Sequence, residues 1–224
     1  MTNAGVARVD GRSEGPAADP RDVRYGIFLR PDPATAERTL RGFDIARCMF
    51  GFTAAAAYPP HATLVGSIDL TVDESELIAA IDRVLADPPA QQLETSALDP
   101  WDGAALVQLV RDAGETRIGA LAGALLTAIA PLRRVSEGDF AAGIVGAITP
   151  ETFRAHVTVV GHDGADRPEQ LPDVLAFMNQ LGFDQPIRAT WDTATLYRFR
   201  SDDWQGRYWE TMTWEIVRNW RLRG

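Results

Sequence analysis

Cysteine, histidine and long apolar runs are all scarce in this chain of 224 residues. The single cysteine, Cys48, excludes an internal disulfide and any metal site built from several thiolates. No segment reaches the roughly 18 consecutive apolar residues that a membrane-spanning helix requires. The first twenty residues also lack the apolar centre of a secretory signal. We therefore expect a cytoplasmic protein that does not contact a membrane.

Positive charge is in deficit as well. The chain has 22 lysine and arginine residues against 31 acidic residues, which gives a formal net charge of -9. Because proteins bind long nucleic acids by neutralising phosphates, this balance argues against a long DNA or RNA partner. A nucleic-acid substrate should be short or be held by a local basic patch. Arg218, Arg221 and Arg223 are candidates for such a patch, although terminal arginines are more often solvated or paired with acids.

The order of the predicted elements indicates one domain of two similar halves. Residues 1–22 lack hydrophobic periodicity, and we predict a mobile leader there, followed by a single domain over 23–224. YGIFLRP is typical of a strand, whereas PATAERTLRGFDIARCMFGF and VDESELIAAIDRVLADPP have the apolar spacing of helices. Strands and helices alternate in both halves. This alternation favours an α+β fold over an all-β sandwich or a helical bundle.

The remaining segments complete the predicted secondary structure. Two strands over 92–98 and 104–111 are joined by a DPWDG turn. ETRIGALAGALLTAIAPL and RPEQLPDVLAFMNQLGF are predicted helices. PIRATWDTATLYRFR, at 186–200, is predicted as one strand, and RYWETMTWEIVRNW, at 207–220, is predicted as its partner across the turn SDDWQG.

Two of the three histidines occupy matching positions in predicted strands. PPHATLVGSI contains His61 and Thr63, and RAHVTVVGHD contains His156 and Thr158. Side chains at positions i and i+2 of a strand lie on the same face, so each strand presents an imidazole and a hydroxyl on one side. The opposite side of each strand is apolar and suits a core. If the two halves face each other, two imidazoles and two hydroxyls meet in one cleft.

Such a set of groups suits displacement at a phosphodiester. One imidazole can take a proton from the attacking oxygen while the other protonates the leaving oxygen on the opposite side of phosphorus. Imidazole has an ordinary pKa of about 6.5, and threonine hydroxyls can donate hydrogen bonds to the non-bridging oxygens. A lone histidine in an apolar strand is more often structural, so the hypothesis depends on the recurrence of the motif.

PHATLVG and AHVTVVG resemble the paired His-x-Thr motifs of the two-histidine (2H) phosphoesterase superfamily, which includes 2′-5′ RNA ligase-like proteins and cyclic nucleotide phosphodiesterases. YGIFLRP resembles the opening strand of that family, and TLYRFR with YWETMTWEI resembles its closing hairpin. The resemblance implies two pseudo-symmetric lobes of antiparallel sheet with flanking helices around a central cleft. It also implies that no metal or cofactor is needed and that the reaction opens cyclic phosphodiesters. His61 and His156 would be acid and base in an undetermined order, and Thr63 and Thr158 would bind the phosphate.

Further substrate contacts are predicted on the strands near the expected cleft. Phe28 and Tyr197 are candidates for lining the cleft, and Arg198 or Arg200 for binding a phosphate. A bulge of one residue would reverse their facing, so their side of the sheet stays open. His162 is predicted as a solvated turn residue. The expected substrate is a small nucleotide or the cyclic phosphate at an RNA end, bound by a monomer. The alternatives are 2′-5′ RNA ligation and a non-catalytic nucleotide-binding module.

Overall fold

Two antiparallel sheets and four α-helices make up the computed structural model, which describes residues 23–112, 117–134 and 153–223. The leader predicted for residues 1–22 lies outside the described residues. The strands are β1 (Val23–Arg30), β2 (Ala62–Leu70), β3 (Gln91–Trp101), β4 (Ala105–Asp112), β5 (Arg133–Arg134), β6 (His156–Val160), β7 (Ile187–Trp191), β8 (Thr193–Arg200) and β9 (Thr213–Arg221). The helices are α1 (Pro33–Phe50), α2 (Glu74–Val84), α3 (Arg117–Ile129) and α4 (Leu171–Gln180).

The two sheets have corresponding strand orders. The first sheet runs β5-β2-β1-β8-β9 and the second runs β6-β4-β3-β7. Apart from the two-residue strand β5, each sheet therefore begins with the strand that carries a His-x-Thr motif. The α+β fold of two similar lobes that the sequence predicts is confirmed.

Helix α1 has clear sequence signals at both of its ends. The Asp32 side chain accepts hydrogen bonds from backbone N–H groups of the first turn, and Pro33 occupies the first helical position. Gly51 ends the helix in the left-handed conformation, with a φ of 75°. The buried Ala46 packs with Val159 of β6, so α1 supports the second motif strand.

The helices cover the apolar sides of the motif strands. Helices α2 and α3 pack against each other and against the first sheet, and helices α1 and α4 cover the second sheet. The largest core cluster is continuous between the sheets and includes Leu64 of β2 and Val157 of β6. Leu64 directly follows Thr63, and Val157 directly follows His156, so each lies on the strand face opposite to a motif residue. The core thus anchors both motif strands by their apolar sides and leaves their polar sides outward.

The segment at 186–200 is two strands, so the prediction of one strand there was wrong. Strand β7 pairs with β3 in the second sheet, whereas β8 pairs with β1 in the first. Asp192 lies at the crossing, where its backbone oxygen accepts a hydrogen bond from the N–H of Leu222 and its carboxylate pairs with Arg221 at 3.0 Å. Side chains alternate between the two faces of a strand in either sheet, so the sequence pattern does not indicate where the chain passes from one sheet to the other.

The β3–β4 turn is tighter than the predicted DPWDG. Strand β3 continues through Trp101, and three residues, 102–104, connect it to β4. Asp102 and Gly103 both have positive φ, at 50° and 69°, and the N–H of Ala104 donates to the backbone oxygen of Trp101 to close the turn. Pro100 is tolerated in β3 because β7 pairs only with positions 91–95, so within the described part of the chain no strand pairs with the other side of β3 at Pro100. The last strand is also shorter than predicted, since residues 208–210 form a 3₁₀ turn before β9.

Candidate active site

The two His-x-Thr motifs lie on neighbouring strands from different sheets. Strands β2 and β6 approach each other across the boundary between the sheets. His61, Thr63, His156 and Thr158 are all half-buried, whereas the alternating residues of both strands are buried in the core. The positive charge of His156 also acts on the titration of His61. The fold therefore brings the two imidazoles from positions 61 and 156 into one electrostatic environment.

Both imidazoles are held by the same local hydrogen bond. Nδ1 of His61 lies 2.7 Å from the backbone oxygen of Pro59, and Nδ1 of His156 lies 2.9 Å from that of Arg154. A carbonyl oxygen can only accept, so Nδ1 is the protonated nitrogen in each case. Nε2 is then the nitrogen that can exchange a proton with a substrate. The backbone carbonyl two residues before each histidine thus fixes the tautomer and the orientation of both rings.

Each imidazole also stacks on an aromatic ring, which lies on the neighbouring strand β1 for His61 and at the end of β3 for His156. The ring centroids of His61 and Phe28 are 3.8 Å apart with planes inclined by 14°, and those of His156 and Trp101 are 4.9 Å apart with planes inclined by 27°. Gly26 leaves room for the first pair, because a Cβ atom there would lie 2.7 Å from Cε1 of Phe28. The two lobes thus repeat a local arrangement of carbonyl, imidazole and aromatic ring.

His61 titrates well below the ordinary range of histidine. Desolvation by burial is the main cause and lowers its pKa to about 4, the hydrogen bond with Pro59 acts in the opposite direction, and the charge of His156 lowers the pKa further. Part of the side chain reaches solvent, but the ring packs against Phe28 and lies near Tyr58. His61 is consequently neutral at pH 7, and its Nε2 can accept a proton.

The threonine hydroxyls are available to a ligand. Thr63 pairs in register with Phe28 and Thr158 with Val107, so both side chains point to the face that carries the imidazoles. Within the described part of the chain, neither hydroxyl makes a hydrogen bond to protein. Each can donate to an anionic oxygen placed between the rings.

Residues 31–203 match the family model of the 2′-5′ RNA ligase superfamily. The chain belongs to this superfamily of 2H phosphoesterases. The predicted family is thereby confirmed, and so is the coarse assignment to phosphoesterases, which are in general catalytic. None of the curated proteins matches the chain in sequence.

Solved structures share the fold at low sequence identity. The crystal structure of TT0787 of Thermus thermophilus is 14% identical, with a TM-score of 0.59, and the match covers 90% of this chain and 98% of that one. E. coli LigT complexed with 3′-AMP is 15% identical, with a TM-score of 0.52 over 91% and 99% of the two chains. E. coli LigT complexed with NADP+ is 16% identical, with a TM-score of 0.50 and the same coverage. At these identities the likeness establishes the fold alone.

Phe28 and Tyr197 face the side of the sheet that carries the superfamily motif, but they are buried. Their side chains are 3% and 2% exposed and form an aromatic cluster with Phe199. Trp204 and Met212 pack over this cluster. Phe28 therefore touches the site through its stack on His61, and Tyr197 supports Phe28 at a ring distance of 5.5 Å. Their predicted contact with substrate stays a prediction.

Arg198 faces the other side of strand β8. Its guanidinium pairs with Glu74 at 3.4 Å and with Glu215 at 2.8 Å. Alternation along the strand separates it from Tyr197 and gives Arg200 the same facing as Arg198. This placement does not support the phosphate-binding role predicted for these two arginines.

The sequence reasoning missed two residues on the motif face. Trp101 was assigned to a loop, but β3 extends to it, and its ring lies on His156. Arg30 ends β1 two residues after Phe28, on the same face, and is exposed. Alternation within YGIFLRP could have identified Arg30, whereas the contact of Trp101 depends on strand pairing.

His162 lies on a different element from the two motif histidines. His162 is exposed in a short 3₁₀ turn, with its ring against Tyr208 and Trp209. In residues 23–112, 117–134 and 153–223, no group of three or more His, Cys, Asp or Glu side chains is arranged to hold a metal ion. No helix in the same ranges is both long and apolar enough to cross a membrane.

Proposed function

We propose that the protein is a phosphodiesterase that opens 2′,3′-cyclic or related cyclic phosphodiesters of small nucleotides or short RNA ends without a metal ion. The observation that carries this proposal is the matched pair of imidazoles, each held through Nδ1, beside two hydroxyls that have no protein partner among the described residues. Membership of the 2H phosphoesterase superfamily supports the reaction class. The 3′-AMP and NADP+ named with LigT support a small nucleotide as the ligand.

The proposed roles of the histidines follow from their environments. His61 is neutral at pH 7 because burial lowers its pKa to about 4, so its Nε2 takes a proton from the attacking water. The water oxygen then bonds to phosphorus as the bond from phosphorus to one ribose oxygen breaks. His156 gives the Nε2 proton to that leaving oxygen. Exchange of protons with solvent restores both rings for the next turnover.

The threonines stabilise charge on the reacting phosphate in this proposal. Negative charge grows on the non-bridging oxygens as water attacks, and a hydroxyl fixed beside each imidazole can donate a hydrogen bond to one of them. Thr63 and Thr158 occupy equivalent places in the two lobes. The phosphate would thus be held from both sides, with the attacking and leaving oxygens directed toward opposite imidazoles.

Single replacements of the histidines test the proposal. His61→Ala and His156→Ala are each expected to lower the turnover of a nucleoside 2′,3′-cyclic phosphate by about 10²- to 10⁴-fold. His162→Ala is the matched control, since His162 is exposed and lies outside the motif pair. Circular dichroism checks that each variant remains folded. Near-wild-type turnover in both motif variants would contradict the proposal, and so would loss of wild-type turnover in the presence of a chelator.

Ligation of RNA ends through a 2′-5′ linkage is the second candidate, favoured by the description of the matching family model. The same four residues can serve both directions of one phosphoryl transfer. The net charge of -9 weighs against a long RNA partner. An assay with RNA half-molecules beside cyclic mononucleotides separates the two activities.

A non-catalytic nucleotide-binding module is the third alternative. Such a module would bind a cyclic nucleotide in calorimetry and leave it intact for hours.

A further inference from the structure

Arg30 lies beside His61 on the motif face of the first sheet. Strand β1 pairs with β2 so that Phe28 opposes Thr63 and Leu29 opposes Ala62. One further step of the same register places Arg30 opposite His61. Directly opposed residues of antiparallel strands have Cβ atoms about 4.5–5.5 Å apart and point to the same face. The side chain of Arg30 therefore starts next to the proposed base.

The guanidinium of Arg30 has no protein partner within the described ranges, in contrast to Arg24 on the same face of β1. Arg24 pairs with Asp69 at 3.0 Å and lies over the ring of Trp204. Arg30 is exposed and makes no ion pair or hydrogen bond there. A protein with a net charge of -9 repels anionic ligands at long range, so an uncompensated cation at the site provides local attraction.

Arg30 lies on a strand that is farther from the strand of His156 than β2 is. Burial raises the pKa of Tyr197, and the charge of Arg30 acts on this phenol in the opposite direction. Tyr197 belongs to β8, which lies on the far side of β1 from β2. The strands that carry His156, His61, Arg30 and Tyr197 therefore follow one another across the site in that order. A phosphate held between the two imidazoles lies on the other side of His61 from this cation.

The second lobe has no such cation at the equivalent place. Leu109 of β4 is the register partner of His156, at the place that Arg30 takes in the first lobe when the β1–β2 register is extended by one residue. The two lobes thus match in their imidazoles and hydroxyls but differ in the residue at the place opposite the histidine, which is Arg30 in the first lobe and Leu109 in the second. The second lobe also has a cation near its histidine, because the exposed Arg154 lies two residues before His156. A symmetric reacting phosphate does not need that asymmetry, whereas a substrate with a second anionic group on one side would use it.

We propose that Arg30 binds a second, non-reacting phosphate of the substrate, so that the preferred substrates are cyclic phosphodiesters that carry an additional phosphate. Nucleoside 2′,3′-cyclic phosphates with a 5′-phosphate, and short RNA ends with an internal phosphate next to the cyclic one, belong to this class. Arginine suits the role because its planar fork can donate two hydrogen bonds to one phosphate. The inference rests on the proposed function and specifies its substrate.

Kinetics with a matched pair of substrates tests Arg30. The pair is adenosine 2′,3′-cyclic phosphate with and without a 5′-phosphate, and the quantity compared is the ratio of their kcat/KM values. We expect kcat/KM of the wild-type protein to be about tenfold or more higher for the 5′-phosphorylated compound, mainly through a lower KM. This is the size of effect expected from one hydrogen bond between charged groups. Arg30→Gln should bring the ratio close to one, and Arg30→Lys should retain part of it.

Arg41→Gln is the charge-matched control. Arg41 is an exposed arginine of α1 and belongs to neither motif strand, and its replacement removes the same charge. It should leave the substrate ratio as in the wild type. A wild-type ratio near one, a ratio that Arg30→Gln does not change, or an equal loss of the ratio in Arg41→Gln would each overturn the inference.

A binding measurement separates failure of this inference from failure of the proposed function. Calorimetry compares adenosine 3′-monophosphate with adenosine 3′,5′-bisphosphate on wild type and Arg30→Gln. If wild-type protein hydrolyses neither cyclic substrate but binds the bisphosphate more tightly through Arg30, the phosphodiesterase proposal fails and the second-phosphate site stands. If hydrolysis depends on both histidines but neither assay shows an Arg30-dependent preference, the second-phosphate site fails and the phosphodiesterase proposal stands.

Discussion

Lowering the pH from about 7 to about 4 should destabilise this protein through the desolvated imidazole of His61. The pKa of His61 is about 4 in the folded chain, against about 6.5 for an ordinary histidine in the unfolded chain. As the pH falls, the unfolded state takes up the proton first. The stabilisation is thus complete above about pH 6.5, declines between about 6.5 and 4, and does not change further below 4. Each pH unit between the two pKa values corresponds to about 1.36 kcal/mol, so the total is about 3 kcal/mol.

The comparison of wild type with His61→Gln isolates this contribution. The 31 acidic residues titrate over part of the same range, so the pH dependence of one protein alone is not diagnostic. Urea unfolding at a series of pH values gives the free energy of unfolding for both proteins. Wild type should lose about 3 kcal/mol more than His61→Gln between pH 7 and 4. Removing the stack on Phe28 shifts the variant's stability at every pH and does not produce this difference in slope.

An NMR titration of the imidazole signals gives a direct check on the same reasoning. The His61 ring should titrate with a midpoint near pH 4, and His162→Gln serves to exclude the exposed histidine as the source of that signal. Parallel stability curves for wild type and His61→Gln, or a midpoint near the ordinary 6.5, would refute the desolvation argument and with it the assignment of His61 as the base.

Three further predictions concern the groups around the imidazoles. A p-nitrophenyl phosphodiester has a leaving group that needs no proton, so a general acid is not required to cleave it. In steady-state assays His156→Ala should therefore keep most of the activity on this substrate, and His61→Ala should lose it. Equal losses in the two variants would contradict the assignment of His61 as base and His156 as acid. Gly26→Ala should lower the free energy of unfolding by about 1–3 kcal/mol, because the new Cβ meets the ring of Phe28, and an unchanged melting temperature would contradict this. Trp101→Ala removes a stacking contact with His156 that contributes about 0.5–1.5 kcal/mol, so kcat should fall while the protein stays folded. Trp101→Phe keeps an aromatic ring and should recover part of the lost kcat.

The motif strands could be predicted from the sequence because their signal is local. His61 and Thr63 are two residues apart in an extended segment, and the same is true of His156 and Thr158, so alternation alone assigns each pair to one face. The apolar residues between them identify the opposite face as core. Family resemblance then supplied the arrangement of the two lobes, which the strand orders of the two sheets confirm.

The substrate-binding predictions were weaker because they depend on which face of a strand meets the cleft. Arg198 and Tyr197 are adjacent in sequence, yet one pairs with Glu74 and Glu215 while the other packs in the aromatic cluster on the motif side. Alternation puts Arg30 on the same face as Phe28, but only the pairing of β1 with β2 sets its distance from His61. Pairing between strands, which is set by residues far apart in the chain, decides these positions.

By itself, the sequence determined the helices, most strands and the superfamily. It also determined that each motif strand presents an imidazole and a hydroxyl on one face. Each of these properties follows from the order or periodicity of a few neighbouring residues. Only the tertiary structure decided that the chain changes sheet at Asp192, that Phe28 and Trp101 are the rings stacked on the two histidines, and that His61 is desolvated enough to remain neutral. Those properties depend on contacts between segments remote in sequence, and the free energy of burial is a property of the packed surroundings rather than of the residue.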